Sequence, residues 1–185
     1  VRLLRVLPNL LSAARLLAAP LIGRFLWTRE YEWALGLFVL AGISDGLDGL
    51  LARWWKASSR LGAYLDPIAD KLLLTVVYVV LAVDTVIARW LAALVVGRDL
   101  LILALAGAGF FLTSIRDFPP SLWGKVSTVL QILYIVVVLF NRSILAYENI
   151  PGPVEAALFW GVAAGTIWSG LHYTWVGWSR WRHTS

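Results

Sequence analysis

The sequence predicts an all-α integral membrane protein, and three observations predict it. Mean hydropathy is +0.77 and 60% of the residues are hydrophobic, too apolar for a soluble domain of 185 residues. Apolar stretches long enough to span a bilayer recur along the whole chain. No long polar insertion separates them, so residues 1–185 are expected to form a single membrane domain.

About six transmembrane helices are expected, over 9–27, 33–55, 63–83, 88–112, 122–141 and 153–176. A short interfacial helix precedes them in residues 1–8, which open on the alternating basic and apolar run VRLLRVL. The first apolar stretch contains Arg15 and Pro20 and further spans follow it, so it is kept as a helix rather than a cleaved signal. The chain starts at Val1 and contains no Met, so an initiator residue is missing from it. A short basic loop, WWKASSRLG, joins the second helix to the third. Arg98 and Asp99 fall inside the fourth helix, and Lys125, Ser127, Thr128 and Gln131 open the fifth. The sixth holds one GxxxG, Gly161 to Gly165, which marks either close helix packing or a dimer seam.

The net charge of +5 does not require nucleic acid, because its distribution follows a membrane rule. With six spans, Arg2, Arg5, Arg53, Lys56, Arg60, Arg116, Lys125, Arg180 and Arg182 all fall on one side. Arg24, Arg29, Arg89 and Arg142 fall on the other, offset by Glu30, Glu32, Asp84 and Glu148. The positive-inside rule then places both termini and the 53–62 loop in the cytoplasm. The Ala/Leu/Arg-rich composition points to a bacterial cytoplasmic membrane. Eleven Trp suit interfacial anchoring. There is no Cys, hence no disulfide and no thiolate metal site. Of the two His, His183 lies in the tail and His172 reads as a polar interfacial residue, so zinc is disfavoured.

Chemistry concentrates between Asp45 and Asp70, in the skeleton D-x2-D-G-x2-A-R-x8-G-x3-D-x3-D. Asp45 and Asp48 are three apart and share a helix face, as do Asp66 and Asp70, four apart. Antiparallel neighbours would bring both pairs together in the cytoplasmic half of the bundle. An Asp at a helix centre costs about 2.5–3.5 kcal/mol on an insertion scale, so four cost on the order of 10 kcal/mol. Bound cations would offset that. Donors that are all oxygen select Mg2+ or Mn2+, with two ions expected. Mg2+ is commonly held by few carboxylates together with substrate phosphates, so pyrophosphate is the natural guest. Gly49 and Ala52 leave room beside Asp48, Gly62 permits close backbone approach, and Arg53 can clamp phosphate. Pro67 either begins the third helix or bends it. The simpler reading pairs the aspartates with Lys71, Arg98 or Arg15 to hold helices in register. It suits one Asp better than four set among Gly, Ala, Arg and Gly at fixed offsets.

These eight specified residues over 26 positions resemble, without a departure, the signature of the CDP-alcohol phosphatidyltransferase family. The resemblance implies transfer of a phosphatidyl group from CDP-diacylglycerol to an alcohol, with release of CMP. It implies that Asp45, Asp48 and Asp66 are metal ligands and that Asp70 bridges metal and acceptor as general base. Asp48, Gly49, Ala52, Arg53, Gly62 and Asp66 would line the CDP site, and the family is typically homodimeric.

The acceptor is read from other stretches. VVGRDLLILALAGAGFF, SLWGKVSTVLQ, PNLLSAARLLAAPLIG and the His172–Tyr173 pair resemble the cardiolipin synthases of the eukaryotic type. Phosphatidylglycerophosphate synthases are similar there but usually carry Arg-Glu where this chain has Arg98-Asp99. They also tend to add polar and basic residues where Leu101 to Phe111 are here apolar or glycine. The resemblance therefore implies phosphatidylglycerol as acceptor, with glycerol 3-phosphate as the alternative. A dianionic glycerol 3-phosphate needs several cations, whereas phosphatidylglycerol brings one phosphate and two acyl chains that suit an apolar wall. Arg98, Lys125 and Arg116 are the candidates for the acceptor's phosphate, and Arg15 is expected to serve structural pairing.

Three other readings fit the sequence less well. A membrane prenyltransferase usually has its paired Asp motifs far apart in sequence and leaves Gly49, Ala52, Arg53 and Gly62 unexplained. A cation channel or transporter would continue its polar path across the membrane, while the non-cytoplasmic halves here look dry. A purely structural subunit leaves the aspartates without a role.

Overall fold

The computed structural model describes the backbone of residues 2–55, 60–112, 121–143 and 152–182. It describes their side chains except at 2–13, 45, 47–55, 60–69, 106, 108–112, 177–178 and 180–182. Among these residues all regular structure is helical: α1 (Arg2–Trp27), α2 (Tyr31–Trp55), α3 (Arg60–Val83), α4 (Arg89–Leu112), α5 (Leu122–Ser143) and α6 (Pro153–Arg182). Each matches an expected helix, except that α6 runs on to Arg182 instead of ending at 176, and two differences concern the starts of α1 and α3. The segment expected to form a separate interfacial helix is continuous with α1. Pro8, in the second turn, removes one hydrogen bond and crowds the carbonyl of Leu4, while the Leu, Arg and Ala around it favour helix. α3 starts at Arg60, so Pro67 lies within it rather than opening it.

The chain forms two compact units, Val1–Val86 with Val138–Glu148, and Ile87–Val137 with Asn149–Ser185. In the first, α1 packs against both α2 and α3. Ala19, Ile22 and Leu26 recur at three- and four-residue spacing and are buried, as are Leu73, Leu74, Val77, Tyr78 and Leu81 of α3. Gly23 allows the closest approach, since a Cβ there would sit 3.0 Å from Val76 Cγ1. Two ion pairs lie along this seam, Arg15 with Asp70 near the middle of both helices and Arg29 with Asp84 just past their C-terminal ends, the latter at 2.9 Å. Both pairs span 55 residues, so α1 and α3 run parallel in one constant register.

The two helices also end alike. After α1, Glu30 N donates to Phe25 O at 2.8 Å and Arg29 N to Leu26 O at 3.1 Å, with Arg29 at φ 61°. After α3, Val86 N donates to Leu81 O at 2.8 Å and Thr85 N to Ala82 O at 3.2 Å, with Thr85 at φ 60°. Both are Schellman caps built without the glycine that this conformation favours. Asp84 joins the two turns, accepting from Arg29 and, at 3.3 Å, from the Tyr31 hydroxyl.

The second unit holds α4, most of α5, and α6. Leu91, Ala92, Val95 and Arg98 share the buried face of α4. Ser127, Gln131, Tyr134 and Ile135 share that of α5, and Val162, Ala163, Thr166 and Ser169 that of α6. The GxxxG of α6 is used inside this unit: a Cβ at Gly165 would meet Leu130 Cδ1 at 3.3 Å, and one at Gly161 would meet Leu130 Cδ2 at 3.9 Å. Phe159 packs edge-on against Trp90 and Tyr134, with ring centroids 5.3 and 6.2 Å apart.

Large apolar side chains are exposed on all six helices, among them Leu17, Leu40, Val79, Leu103, Val129 and Trp168. Among the described residues, Leu122–Ser143 and Pro153–Val176 are long and apolar enough to cross a membrane, and less than half of either is buried within the chain.

Candidate active site

α2 is unbroken through Asp45, Asp48, Gly49, Ala52 and Arg53, and α3 through Gly62, Asp66 and Asp70. The backbone therefore keeps each aspartate pair on one helix face, as the spacing requires. The side chains of Asp45, Asp48, Gly49, Ala52, Arg53, Gly62 and Asp66 lie outside the described ones. With three of the four aspartates there, no cluster of three metal-ligating side chains occurs among the described residues.

Asp70 is described, and it is held. Arg15 Nη1, from α1, donates to Asp70 Oδ1. The pair is asymmetric: the Arg15 side chain is 4% exposed and that of Asp70 43%. The guanidinium is thus buried, while the Asp70 side chain is partly exposed. The chemistry of the donor set fits a hard divalent cation: four carboxylates on two helices, without thiol or imidazole in the skeleton.

A second polar cluster is built on Arg98 of α4. Its Nη1 donates to Asp99 Oδ1 at 2.6 Å, its Nη2 and Nε to Ser169 Oγ at 2.7 and 3.2 Å, and its Nη2 also to Gly124 O at 3.5 Å. The guanidinium lies 6.0 Å from the centre of the Tyr173 ring, and the side chain is only 7% exposed. Tyr173 Oη accepts from the backbone N of Ser121 at 2.9 Å. Ser121 in turn caps α5, its Oγ accepting from Gly124 N at 3.0 Å. Gly124 is closed in by these groups, since a Cβ there would lie 3.1 Å from Tyr173 Oη and 3.2 Å from Arg98 Nη2. One turn on, Gln131 Nε2 donates to Ser127 Oγ and Thr166 Oγ1 at 3.3 and 3.1 Å.

The three candidates for an acceptor phosphate thus differ. Arg98 is buried and engaged by Asp99, Ser169 and Gly124. Lys125, next to Gly124, is exposed. Arg116 lies outside the described residues. Arg15 was one of three cations the sequence offered to the aspartates. Its signal was being the single charge between Leu10 and Gly23. Sequence spacing does not reveal that Ser121, Ser169 and the Tyr173 hydroxyl join this cluster, because their partners are 52 and 71 residues away.

Comparison with known proteins agrees with the signature. The family profile described as CDP-alcohol phosphatidyltransferase matches residues 5–168. A cardiolipin synthase (CMP-forming) of Rattus norvegicus is 40% identical over 99 residues, covering 53% of this chain and 33% of that protein. A cardiolipin synthase (CMP-forming)/mitochondrial hydrolase fusion protein of Schizosaccharomyces pombe is 35% identical over 183 residues, covering 90% of this chain and 30% of that one. A CDP-diacylglycerol–glycerol-3-phosphate 3-phosphatidyltransferase of Salmonella choleraesuis is 33% identical over 175 residues, covering 90% of this chain and 92% of that one. The chain spans about a third of the length of the cardiolipin synthases it matches. With the profile covering most of its length and the bacterial relative matched almost end to end, the chain belongs to the CDP-alcohol phosphatidyltransferase family.

Proposed function

We propose that this protein is a six-span membrane enzyme, a single functional domain, that transfers the phosphatidyl group of CDP-diacylglycerol to phosphatidylglycerol, forming cardiolipin and CMP. The observation that carries the reading is the complete signature from Asp45 to Asp70 on two unbroken helices. Exposed apolar side chains on every helix support its place in lipid, which would cover them. The charge distribution supports an active site and termini on the cytoplasmic side. A homodimer is expected from the family.

Asp45, Asp48, Asp66 and Asp70 would hold one or two Mg2+ or Mn2+ ions, which when bound supply neutralising charge to the pyrophosphate and to the departing CMP. Arg53 clamps a phosphate of the CDP moiety, and Gly49, Ala52 and Gly62 leave space for it. Asp70 takes the proton of the acceptor hydroxyl as that oxygen attacks the phosphorus bearing diacylglycerol. The new oxygen–phosphorus bond forms, the bond to CMP breaks, and CMP leaves with the electron pair.

Two features favour phosphatidylglycerol as acceptor. Leu101 to Phe111 offer an apolar wall rather than added cations, and Arg98 already carries Asp99 as its counter-ion. Among the described candidates Lys125 is the exposed cation, available to a single phosphate, and Arg116 stays a candidate outside the described residues. The similarity to a glycerol-3-phosphate phosphatidyltransferase over 90% of the chain keeps the second acceptor as a specific rival. A competition decides between them: purified protein, Mn2+ and CDP-diacylglycerol are given phosphatidylglycerol and glycerol 3-phosphate together, and the lipid product is identified. Cardiolipin is the expected product. Phosphatidylglycerophosphate would leave the reaction class standing and reverse the acceptor.

A further inference from the structure

The carboxylate proposed to accept the acceptor's proton is gripped from behind by a buried guanidinium, Arg15 Nη1 donating to Asp70 Oδ1. We propose that Arg15 is a positioning residue for Asp70, fixing the rotation of its carboxylate for the transfer step. The inference rests on the reading of Asp70 as the base.

Arg15 is the buried member of the pair. At 4% exposure its side chain is closed off, whereas Asp70 keeps 43% of its side chain open. A contribution from Arg15 to the reaction can reach it through the carboxylate that it holds. Nor does the helix pair depend on this contact to stay together. α1 and α3 pack together, Ala19, Ile22 and Leu26 of one and Leu73, Val77 and Leu81 of the other are buried, and Gly23 meets Val76. At the far end Arg29 and Asp84 form another ion pair in the same register. A buried cation is costly where apolar packing would serve, which points to a use beyond joining α1 to α3.

The geometry supplies that use. The last torsion of an Asp side chain is soft and roughly two-fold, so an unrestrained carboxylate presents either oxygen. A donor fixed on Oδ1 makes the two oxygens inequivalent and holds the plane. A general base is effective only within hydrogen-bond reach and in line with the proton it takes, so holding the plane lowers the cost of reaching that geometry. The short Asp70 side chain and the constant α1–α3 register leave Arg15 little slack. Its effect should therefore appear in turnover and not in binding.

The test uses the full chain in lipid nanodiscs. Arg15→Met and Arg15→Gln remove the donor, and Arg15→Lys keeps a shorter cation at the same place. The expected result for either neutral variant is a kcat about 10- to 100-fold lower, the usual cost of removing a supporting group. The KM for CDP-diacylglycerol, CDP binding by calorimetry and the Mn2+ stoichiometry by electron paramagnetic resonance should not change. Arg15→Lys should retain more turnover than either. Wild-type kcat in a folded neutral variant overturns the proposal. So does loss of CDP or Mn2+ binding in step with kcat, which would make Arg15 an assembling residue. Failure of both neutral variants to fold, with Arg15→Lys fully active, overturns it in favour of a structural pair. Asp70→Asn is measured alongside. If it turns over fully, the base reading fails on its own; if it is dead while Arg15→Met is fully active, only the positioning role fails.

Discussion

At the scale of single residues, charge placement divides the labour. Arg15 and Arg98 are both buried and both tied to an aspartate, one to Asp70 and one to Asp99. Arg53 is the cation that the signature sets among small residues, and the proposal gives it the nucleotide's phosphate. Hydrogen bonds to charged groups contribute about 1.5–3 kcal/mol. Arg53→Ala should therefore weaken CDP binding roughly 10- to 100-fold, with the folded fraction unchanged. Isothermal calorimetry with CDP reads this directly, and an unaltered Kd would remove Arg53 from the clamp. The role of Arg98 is less visible from sequence alone. Its spacing next to Asp99 suggests a pair, but Ser169, 71 residues on, and the carbonyl of Gly124 appear only once α4, α5 and α6 have folded.

At the scale of elements, the α1–α3 seam sets the position of Asp70, and two substitutions probe it from opposite directions. Thr85 caps α3 at φ 60°, a conformation costly for a β-branched residue. Thr85→Gly should relieve that strain, less the entropy a glycine adds to the unfolded chain, for a net stabilisation of order 1 kcal/mol. A raised thermal midpoint is the expected reading, and a lowered one would show that the threonine contacts outweigh the strain. Gly23→Leu should do the reverse. A Cβ already lies 3.0 Å from Val76 Cγ1, so a larger side chain must force the helices apart, at about 1–3 kcal/mol. Its thermal midpoint should fall and its turnover with it, because the same register sets Arg15 against Asp70. Full stability in Gly23→Leu would mean that the seam opens freely. The six helices were legible from hydropathy because each apolar run is long and bounded by charge or turn residues. The break expected after residue 8 is absent: α1 runs through Pro8 in its second turn, although a proline there removes one hydrogen bond and crowds the carbonyl four residues back.

At the scale of the whole molecule, the reading joins a legible motif to a less legible support. Eight residues within 26 positions carry the signature, and nothing about long-range folding is needed to see them. The partner of Asp70 is different, because Arg15 becomes its neighbour only through parallel packing with a 55-residue offset. Among the GxxxG readings, packing of α6 against Leu130 of α5 is what the structure contains. The central claim is a divalent-cation-dependent phosphatidyl transfer with Asp70 as base, and its most direct measurement is CMP release from CDP-diacylglycerol by wild type and Asp70→Asn. The account predicts CMP formed in step with lipid product in wild type, abolished by EDTA and restored by Mg2+ or Mn2+. It predicts none from Asp70→Asn, even where that variant still binds CDP. Turnover that persists in EDTA, or undiminished CMP release by Asp70→Asn, would contradict it.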